Sequence, residues 1–317
     1  MKLVVQIPCY NEESTLPLVL ESIPKMIPGI DEIIVLIMDD ASTDRTVEIA
    51  RAHGVQHFVL HAGNVGLGRQ FHDGIEKALE LGADIVVNTD GDNQYPQDRI
   101  GDLVQPILAG TADIVIADRQ TQKIAHFSPF KKFLQRIGSA VVNKAAGTNL
   151  PDAASGFRAY SKHALLQLNT ITRFSYCMET IIQAGNKRLA IASIPIDTNP
   201  PLRPSRLFKS MREHVIKSAV AIIRAYVMYK PYLVLGSLGS ILFVIGAIPL
   251  VRYCYFAFVE HSSRGHLQSL IIGSTILIAS FLSFVLNIIA DLIRINRTLI
   301  ELNLEHTKKM RYKQLDD

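Results

Sequence analysis

Short apolar runs alternate with helical patterns along residues 1–199. The runs that predict strands are Leu3–Pro8, Glu32–Met38, Val55–Leu60, Asp84–Asn88 and Ile114–Ala117. Helical patterns lie between them, at Ser14–Ile27, Thr43–His53 and Leu67–Leu81. Alternating strands and helices of this kind favour an α/β fold, with a mostly parallel sheet covered by helices on both faces. Ligands of such sheets bind at the carboxyl ends of the strands.

Two longer apolar runs follow in the last third of the chain. Pro231–Val251 holds 21 residues without a charge, and Leu267–Ala290 holds 24. About 20 helical residues cross the hydrocarbon core of a bilayer, so we expect two transmembrane helices, at about 231–251 and 267–290. Small residues in both runs would let the two helices approach closely; these are Gly236, Gly239, Ser240, Gly273, Ser274, Ser280 and Ser283.

The predicted organisation has four parts. A globular domain at 1–199 is followed by a proline-rich linker and an amphipathic helix at 200–230, the membrane part at 231–291 and a basic tail at 292–317. The apolar face of the helical pattern at 207–229 fits either packing on the globular domain or insertion into the lipid headgroup layer. Basic residues flank both spans, whereas the loop at 252–266 holds only two arginines. The positive-inside rule then predicts an integral membrane protein with both termini and the globular domain in the cytoplasm.

Composition narrows the function classes. The net charge of +4 is too small to indicate nucleic acid as a partner. Three widely spaced cysteines argue against a disulfide framework and against a cysteine zinc site. The mean hydropathy of +0.20 is high for a soluble protein and agrees with the two predicted spans.

Asp90-Gly91-Asp92 is the principal candidate for chemistry. Two carboxylates two residues apart at the end of a buried strand can both face one hard cation, Mg²⁺ or Mn²⁺, that bridges to a diphosphate. Gly91 lets the backbone come close, and Gln94 is near enough to add an oxygen ligand. The alternative is an ordinary solvated acidic turn.

Other polar clusters end or follow the predicted strands. Asp39 and Asp40 end the second strand and could accept hydrogen bonds from a base and a ribose, although Ser42 or Asp44 could simply cap the next helix. The glycine-rich segment 63–69 resembles a phosphate loop only loosely, and the segment 152–158 is a polar turn.

Taken together, these motifs resemble those of family 2 glycosyltransferases with the GT-A fold. Within that family the chain is similar to the dolichol-phosphate mannose synthase and bactoprenol glucosyltransferase group. The motifs that carry the resemblance are Pro8-Cys-Tyr-Asn-Glu12, Asp39-Asp-Ala-Ser-Thr-Asp44, Asp90-Gly-Asp-Asn-Gln94, Ala117-Asp-Arg119 and Ser155-Gly-Phe-Arg158. The resemblance implies an inverting, metal-dependent transfer of a sugar from a nucleotide-diphospho-sugar to a polyprenyl phosphate.

The resemblance also implies roles for individual residues. Catalysis would depend on Asp92 and Arg119. The donor would be held by Pro8, Tyr10, Glu12, Asp39, Asp40, Asp90, Gly91 and Asp92. Mg²⁺ or Mn²⁺ would be bound by Asp90, Asp92 and Gln94. The acceptor phosphate would be bound by Arg119, Arg136, Ser139, Arg203 and Arg206.

Two further functions are left open by the sequence. Transfer to a lipid hydroxyl would need a base, and Glu179 lies near the place where related enzymes carry one. A catalytically silent membrane scaffold of the same fold is the second. The chain has no tryptophan, so it cannot contain the QxxRW motif of processive polysaccharide synthases. The sugar, the base of the donor, the acceptor chain and self-association are not fixed by the sequence.

Overall fold

The computed structural model describes residues 1–122, 129–170, 176–200, 202, 220, 230–260 and 267–313. It divides into two compact units, Met1–Ala219 with Glu301–Asp317, and Val220–Ile300. The predicted amphipathic helix at 207–229 lies outside the described residues, apart from Val220.

The first unit contains a seven-stranded sheet. Its strands are β1 (Lys2–Cys9), β2 (Glu32–Asp39), β3 (His57–Leu60), β4 (Ile85–Asn88), β5 (Ile114–Asp118), β6 (Arg158–Ser161) and β7 (Ile191–Pro195). The strand order is β3-β2-β1-β4-β6-β5-β7, and only β6 runs antiparallel to its neighbours. The five predicted strands are confirmed, and β6 and β7 are additions.

Helices cover both faces of the sheet. They are α1 (Leu16–Ser22), α2 (Thr46–Ala52), α3 (Leu67–Glu80), α4 (Ile100–Leu108), α5 (Pro129–Ala146), α6 (Lys162–Gln167) and α7 (Tyr176–Asn186). One apolar cluster of the core packs alternate residues of β1 against α1 and α4. α3 packs closely on the sheet, because a methyl group at Gly74 would overlap Met38. Burial on both faces explains why the central strands are continuous apolar runs.

The second unit contains two long apolar helices, α8 (Pro231–Phe258) and α9 (Leu267–Lys313). Each is long and apolar enough to cross a membrane. Ser280 Oγ donates to the Gly239 carbonyl at 2.8 Å, and Ser283 Oγ donates to the Leu235 carbonyl at 3.0 Å. A methyl group at Gly273 would lie 3.0 Å from the Gly246 carbonyl oxygen. The predicted close approach of the two helices at small residues is therefore confirmed.

The last turns of α9 belong to the first unit, where they pack on α3. Glu76 of α3 accepts a hydrogen bond from the Tyr312 hydroxyl at 2.6 Å and lies 3.2 Å from Lys308 Nζ. Arg311 Nη2 lies 2.8 Å from Glu80 Oε1. Tyr312 and Lys308 are both buried, at 1% and 5% exposure. The segment predicted as a basic tail is thus helical to Lys313 and contributes buried side chains to the globular unit.

Candidate active site

The topology brings most of the predicted site residues to one edge of the sheet. β1 lies between β2 and β4, with Cys9 paired to Asp39 on one side and Gln6 paired to Asn88 on the other. The ends of these three strands and the loops that follow them carry Pro8–Glu12, Asp39–Asp40 and Asp90–Gln94, so these residues are neighbours at the carboxyl edge. Arg119 follows β5 at the same edge, beyond β6 in the strand order.

The loop around Gly91 packs tightly on the loop after β1. A methyl group at Gly91 would lie 3.2 Å from Glu12 Cγ and 3.4 Å from the Pro8 carbonyl oxygen. The Thr15 hydroxyl lies within hydrogen-bond distance of both the Gly91 carbonyl, at 2.8 Å, and Glu12 Oε2, at 2.9 Å. Glu12 is buried, while Tyr10 keeps 40% exposure. Of the residues predicted in the first loop, Glu12 therefore packs in the interior, whereas Tyr10 presents an exposed aromatic ring.

The two adjacent acids at the end of β2 have different surroundings. Asp40 accepts the backbone N–H groups of Val65 and Gly66, at 2.7 and 3.1 Å, so both its oxygens hold the glycine-rich loop before α3. Asp39 Oδ2 accepts the Ser42 N–H at 2.9 Å, but the buried Asp39 Oδ1 has no hydrogen-bond partner among the described residues. A buried carboxylate oxygen without a donor is costly, so it points to a ligand that supplies one.

The predicted metal loop offers a pair of carboxylates. Gln94 donates its backbone N–H and its side-chain amide to Asp92, at 3.1 and 2.9 Å, and so orients that carboxylate. Asp90 lies against the next turn, where a methyl group at Gly156 would be 3.4 Å from its Oδ2. Among the residues that the structure describes, no group of three histidine, cysteine or acidic side chains is placed to hold a metal ion by itself. Such a pair suits a hydrated Mg²⁺ or Mn²⁺ that takes its other ligands from phosphates and water.

Arg119 is held by Asp152 in a bidentate ion pair. Arg119 Nε and Nη2 lie 2.6 and 3.0 Å from the two Asp152 oxygens. Burial by itself would lower the pKa of the Arg119 guanidinium, but Tyr95 and Asp152 keep that pKa above its ordinary value. The guanidinium is therefore a permanent cation at the same edge of the sheet as the predicted metal loop.

The other residues predicted to bind the acceptor phosphate are spread along the chain. Arg136 is exposed on α5, and Ser139 is buried, with its Oγ accepting the Ala153 N–H at 3.2 Å. Arg203 and Arg206 lie outside the described residues. Ser139 thus supports the turn that carries Asp152 and does not present its hydroxyl to solvent.

Sequence reasoning missed a buried polar network beneath these loops. Asn88 ends the apolar strand β4 and donates to the Gly156 carbonyl at 3.0 Å and to Tyr176 Oη at 2.5 Å. The Tyr95 hydroxyl accepts the Gly156 N–H at 2.9 Å. Arg158 is fully buried and donates to main-chain carbonyls, including that of Ser155 at 2.7 Å. An asparagine at the end of a buried apolar strand was the available sequence signal for this network.

Left-handed backbone conformations cluster in the same loops. Asn11, Ala41, Asn93 and Gln120 have φ angles of 57°, 63°, 58° and 48°. Each lies just beyond the carboxyl end of a strand, and Arg188 is the one other non-glycine example in the described part of the chain. Strain of this kind persists where packing over-determines it, as at binding sites.

Ala41→Gly is expected to stabilise the fold. Alanine at φ 63° carries a left-handed cost of about 1–2 kcal/mol, which exceeds the entropy that glycine adds to the unfolded chain. We expect a gain of about 0.5–1 kcal/mol, seen as a higher midpoint in thermal unfolding. Ala52→Gly, at the exposed end of α2, is the matched control and should lower the midpoint. A lower midpoint for Ala41→Gly would contradict the strain.

Comparison with known proteins identifies the family of the chain. Residues 4–168 match the Glycosyl transferase family 2. The chain is a family 2 glycosyltransferase. The resemblance inferred from its motifs is therefore confirmed.

Curated relatives of the glycosyltransferase carry names of one kind. It is 32% identical over 213 residues to a UDP-N-acetylglucosamine–dolichyl-phosphate N-acetylglucosaminyltransferase of Methanococcus voltae, covering 61% of this chain and 83% of that protein. It is 30% identical over 206 residues to an undecaprenyl-phosphate mannosyltransferase of Micrococcus luteus, covering 62% and 83%. Both are named as enzymes that act on lipid phosphates.

Solved structures confirm the GT-A fold of the glycosyltransferase. A glucosyl-3-phosphoglycerate synthase of Mycobacterium tuberculosis, in complex with Mn²⁺, UDP-glucose and phosphoglyceric acid, superposes with a TM-score of 0.55. The match covers 70% of this chain and 79% of that one, at 25% identity. Structures of the same synthase hold either Mn²⁺ or Mg²⁺ together with UDP.

Proposed function

We propose that the glycosyltransferase moves a sugar, with inversion, from a nucleotide-diphospho-sugar to a polyprenyl phosphate at the cytoplasmic face of the membrane. The observation that carries this proposal is one edge of the sheet where a carboxylate pair, a buried acceptor oxygen and a fixed arginine meet. Two apolar helices in the same chain suit a lipid acceptor. The names of the relatives support a lipid phosphate as that acceptor.

The donor nucleoside is proposed to lie in the loops after β1 and β2. The Asp39 Oδ1 atom would accept an N–H of the base, and uracil offers a single such group at N3. Tyr10, which is half-exposed, would lie beside the nucleoside. Asp40 would act indirectly, because its oxygens already hold the backbone at 65–66.

The diphosphate of the donor is proposed to lie beside Asp90 and Asp92. A divalent cation bound there would supply charge compensation for the leaving diphosphate. Gln94 would keep the Asp92 carboxylate in place through its two hydrogen bonds. Gly91 would keep this loop close to the first loop, where a side chain would separate the two.

The acceptor phosphate is proposed to bind at Arg119, with Arg136, Arg203 and Arg206 as further cations. A phosphate monoester has its second pKa at about 6, so it is already ionised at pH 7 and needs no general base. Positioning and electrostatics then supply the catalysis. An in-line attack by the phosphate oxygen on the anomeric carbon, from the face opposite the diphosphate, inverts the configuration.

A lipid hydroxyl as acceptor is the second candidate, with Glu179 as base. Glu179 lies buried in the first turn of α7. Its Oε1 accepts from Gln183 Nε2 at 3.4 Å, and Gln183 Oε1 accepts the Asn169 N–H at 2.9 Å. These contacts favour a packing role for Glu179, so the phosphate acceptor remains the first choice.

A transfer assay on the full chain in detergent tests the proposal. The protein would be incubated with Mn²⁺, a panel of UDP- and GDP-sugars and either undecaprenyl phosphate or diacylglycerol, and products would be identified by mass spectrometry. We expect one glycosyl phospholipid, from a UDP-sugar. Transfer to diacylglycerol instead would overturn the phosphate acceptor. Absence of both products and of metal-dependent UDP binding would favour the silent scaffold.

Arg119→Ala is expected to weaken the use of lipid phosphate. The variant loses charge-assisted, forked hydrogen bonds, so we expect the KM for undecaprenyl phosphate to rise about 10- to 100-fold. The KM for the sugar donor should stay within about twofold of wild type. Arg99→Ala removes an arginine that pairs with Asp102 at the surface and is the matched control. An unchanged acceptor KM and kcat in Arg119→Ala would remove Arg119 from the site.

A further inference from the structure

Asp152 accepts hydrogen bonds from one edge of the Arg119 guanidinium only. Arg119 Nε and Nη2 both donate to the Asp152 carboxylate, and Asp152 Oδ2 also lies 3.4 Å from the Arg119 backbone nitrogen. Arg119 Nη1 has no hydrogen-bond partner in the part of the chain that the structure describes. The Arg119 side chain keeps 18% exposure, against 1% for Asp152. A ligand can therefore reach the arginine, but not the carboxylate.

The turn that carries Asp152 is fixed from several sides. Asp152 Oδ1 accepts the Ala154 N–H at 3.2 Å, which closes the turn on itself. The Ala153 N–H donates to Ser139 Oγ on α5, and the Ala153 carbonyl accepts from Arg158 Nη2 at 3.0 Å. Arg158 is fully buried, so this hold comes from inside the core. The orientation that Asp152 imposes on Arg119 is thus built into the fold.

The surroundings of Asp152 exclude a role as general base. Both its oxygens accept from Arg119, and the side chain is shielded from solvent. Burial by itself would raise the pKa of the Asp152 carboxyl, but the charge and hydrogen bonds of Arg119 hold that pKa below its ordinary value. The carboxylate is therefore ionised and fully engaged at neutral pH.

We propose that Asp152 is a positioning residue of the transfer reaction, which orients Arg119 so that its Nη1 edge meets the acceptor phosphate. This inference rests on the proposed function. A free arginine side chain has many rotamers, and a bidentate partner on its inner edge removes that freedom before the acceptor binds. The ion pair thereby acts through Arg119 on the acceptor and leaves the donor unaffected.

Steady-state kinetics of Asp152→Asn in the full-length protein test the inference. Asparagine keeps the size of the side chain but can accept only one of the two Arg119 N–H groups. We expect the KM for undecaprenyl phosphate to rise about tenfold, while the KM for the donor and the Kd for UDP with Mn²⁺ change less than twofold. In an Arg119→Ala background the same substitution should add no further effect, because the two residues act as one unit.

Two other variants separate positioning from folding. Asp113 lies just before β5, at the end of that strand opposite to Arg119. Its carboxylate accepts the Ala190 N–H and pairs with His163, and Asp113→Asn is the control for folding. It should lower the thermal midpoint without changing the acceptor KM. Arg119→Lys keeps the charge but loses the forked pair, so it should also raise the acceptor KM about tenfold, and it remains informative if Asp152→Asn does not fold.

The outcomes distinguish the inference from the function beneath it. A wild-type protein that transfers sugar to undecaprenyl phosphate, together with unchanged acceptor KM in Asp152→Asn or Arg119→Lys, overturns the inference alone. Additive effects of Asp152→Asn and Arg119→Ala also overturn it. A wild-type protein that transfers nothing to undecaprenyl phosphate overturns the proposed function as well.

Discussion

Asp92→Ala is expected to lower kcat by about 10³-fold or more, because a metal that compensates the leaving diphosphate contributes several kcal/mol in the transition state. The loop that follows β4 carries two carboxylates, Asp90 and Asp92. Gln94 holds that of Asp92 with two hydrogen bonds. Within the described ranges, no third acidic, histidine or cysteine side chain is placed to replace Asp92 as a metal ligand. The variant should also lose the Mn²⁺ dependence of UDP binding.

Asp98→Ala is the matched control for Asp92→Ala. Asp98 is an exposed carboxylate in the short 3₁₀ helix that follows the same loop. Its loss changes the local charge equally but should leave kcat within about twofold, as expected for a surface substitution. The measurements are kcat at saturating donor and the affinity for UDP with and without Mn²⁺. Full activity of Asp92→Ala would remove the metal role from this loop.

The parts of the fold that could be predicted are those whose burial leaves a local mark. β1, β2 and β4 are buried on both faces and are therefore continuous apolar runs. β6 begins with Arg158, the last residue of the segment 152–158 that looks like a polar turn in the sequence. Only the three-dimensional surroundings, which give the guanidinium carbonyl partners from the turn before it, make such a strand buried.

The candidate site divides in the same way. Residues that follow the parallel strands, such as Asp39 and Asp92, could be predicted because the topology sets the edge where they meet. Arg119 and Asp152 are 33 residues apart in sequence. Arg119 follows β5 and Asp152 precedes its antiparallel neighbour β6, which was not predicted, so their pairing could not be foreseen. The sequence also could not separate Asp39 from Asp40. That difference depends on which carboxylate the backbone of the glycine-rich loop reaches.

The packing of the last turns of α9 on α3 was likewise invisible in the sequence. The segment has many cations and looks like a solvated tail, because the partners of Lys308 and Arg311 are Glu76 and Glu80, more than 200 residues earlier. Lys308 Nζ also donates to the Leu168 carbonyl at 3.4 Å. A buried lysine is tolerated only with such partners, so these contacts mark the segment as part of the globular unit.

Tyr312→Ala is therefore expected to destabilise the globular unit by about 3–5 kcal/mol, the usual cost of removing a fully buried aromatic side chain. Tyr312→Phe should cost only about 1 kcal/mol, since it removes the hydroxyl donor to Glu76 but keeps the ring. Met310→Ala, at a position of 64% exposure two residues earlier, is the matched control and should have little effect. Thermal unfolding of the detergent-solubilised full chain measures all three, and equal midpoints for Tyr312→Ala and Met310→Ala would contradict the packing.

The same contacts give this stabilisation a pH dependence. Burial by itself would raise the pKa of Glu76, but the hydrogen bond from Tyr312 and the charge of Lys308 hold that pKa below its ordinary value. A carboxyl whose pKa is lowered by folding contributes stability above its unfolded pKa of about 4.3, and that contribution disappears as the pH falls through the lower, folded value. Glu76→Gln should accordingly be less stable than the wild type at pH 7, and the difference should shrink towards pH 4 and below. A difference that is constant with pH would mean that folding does not lower the pKa of Glu76, and the ion pair with Lys308 would then contribute nothing to the stability.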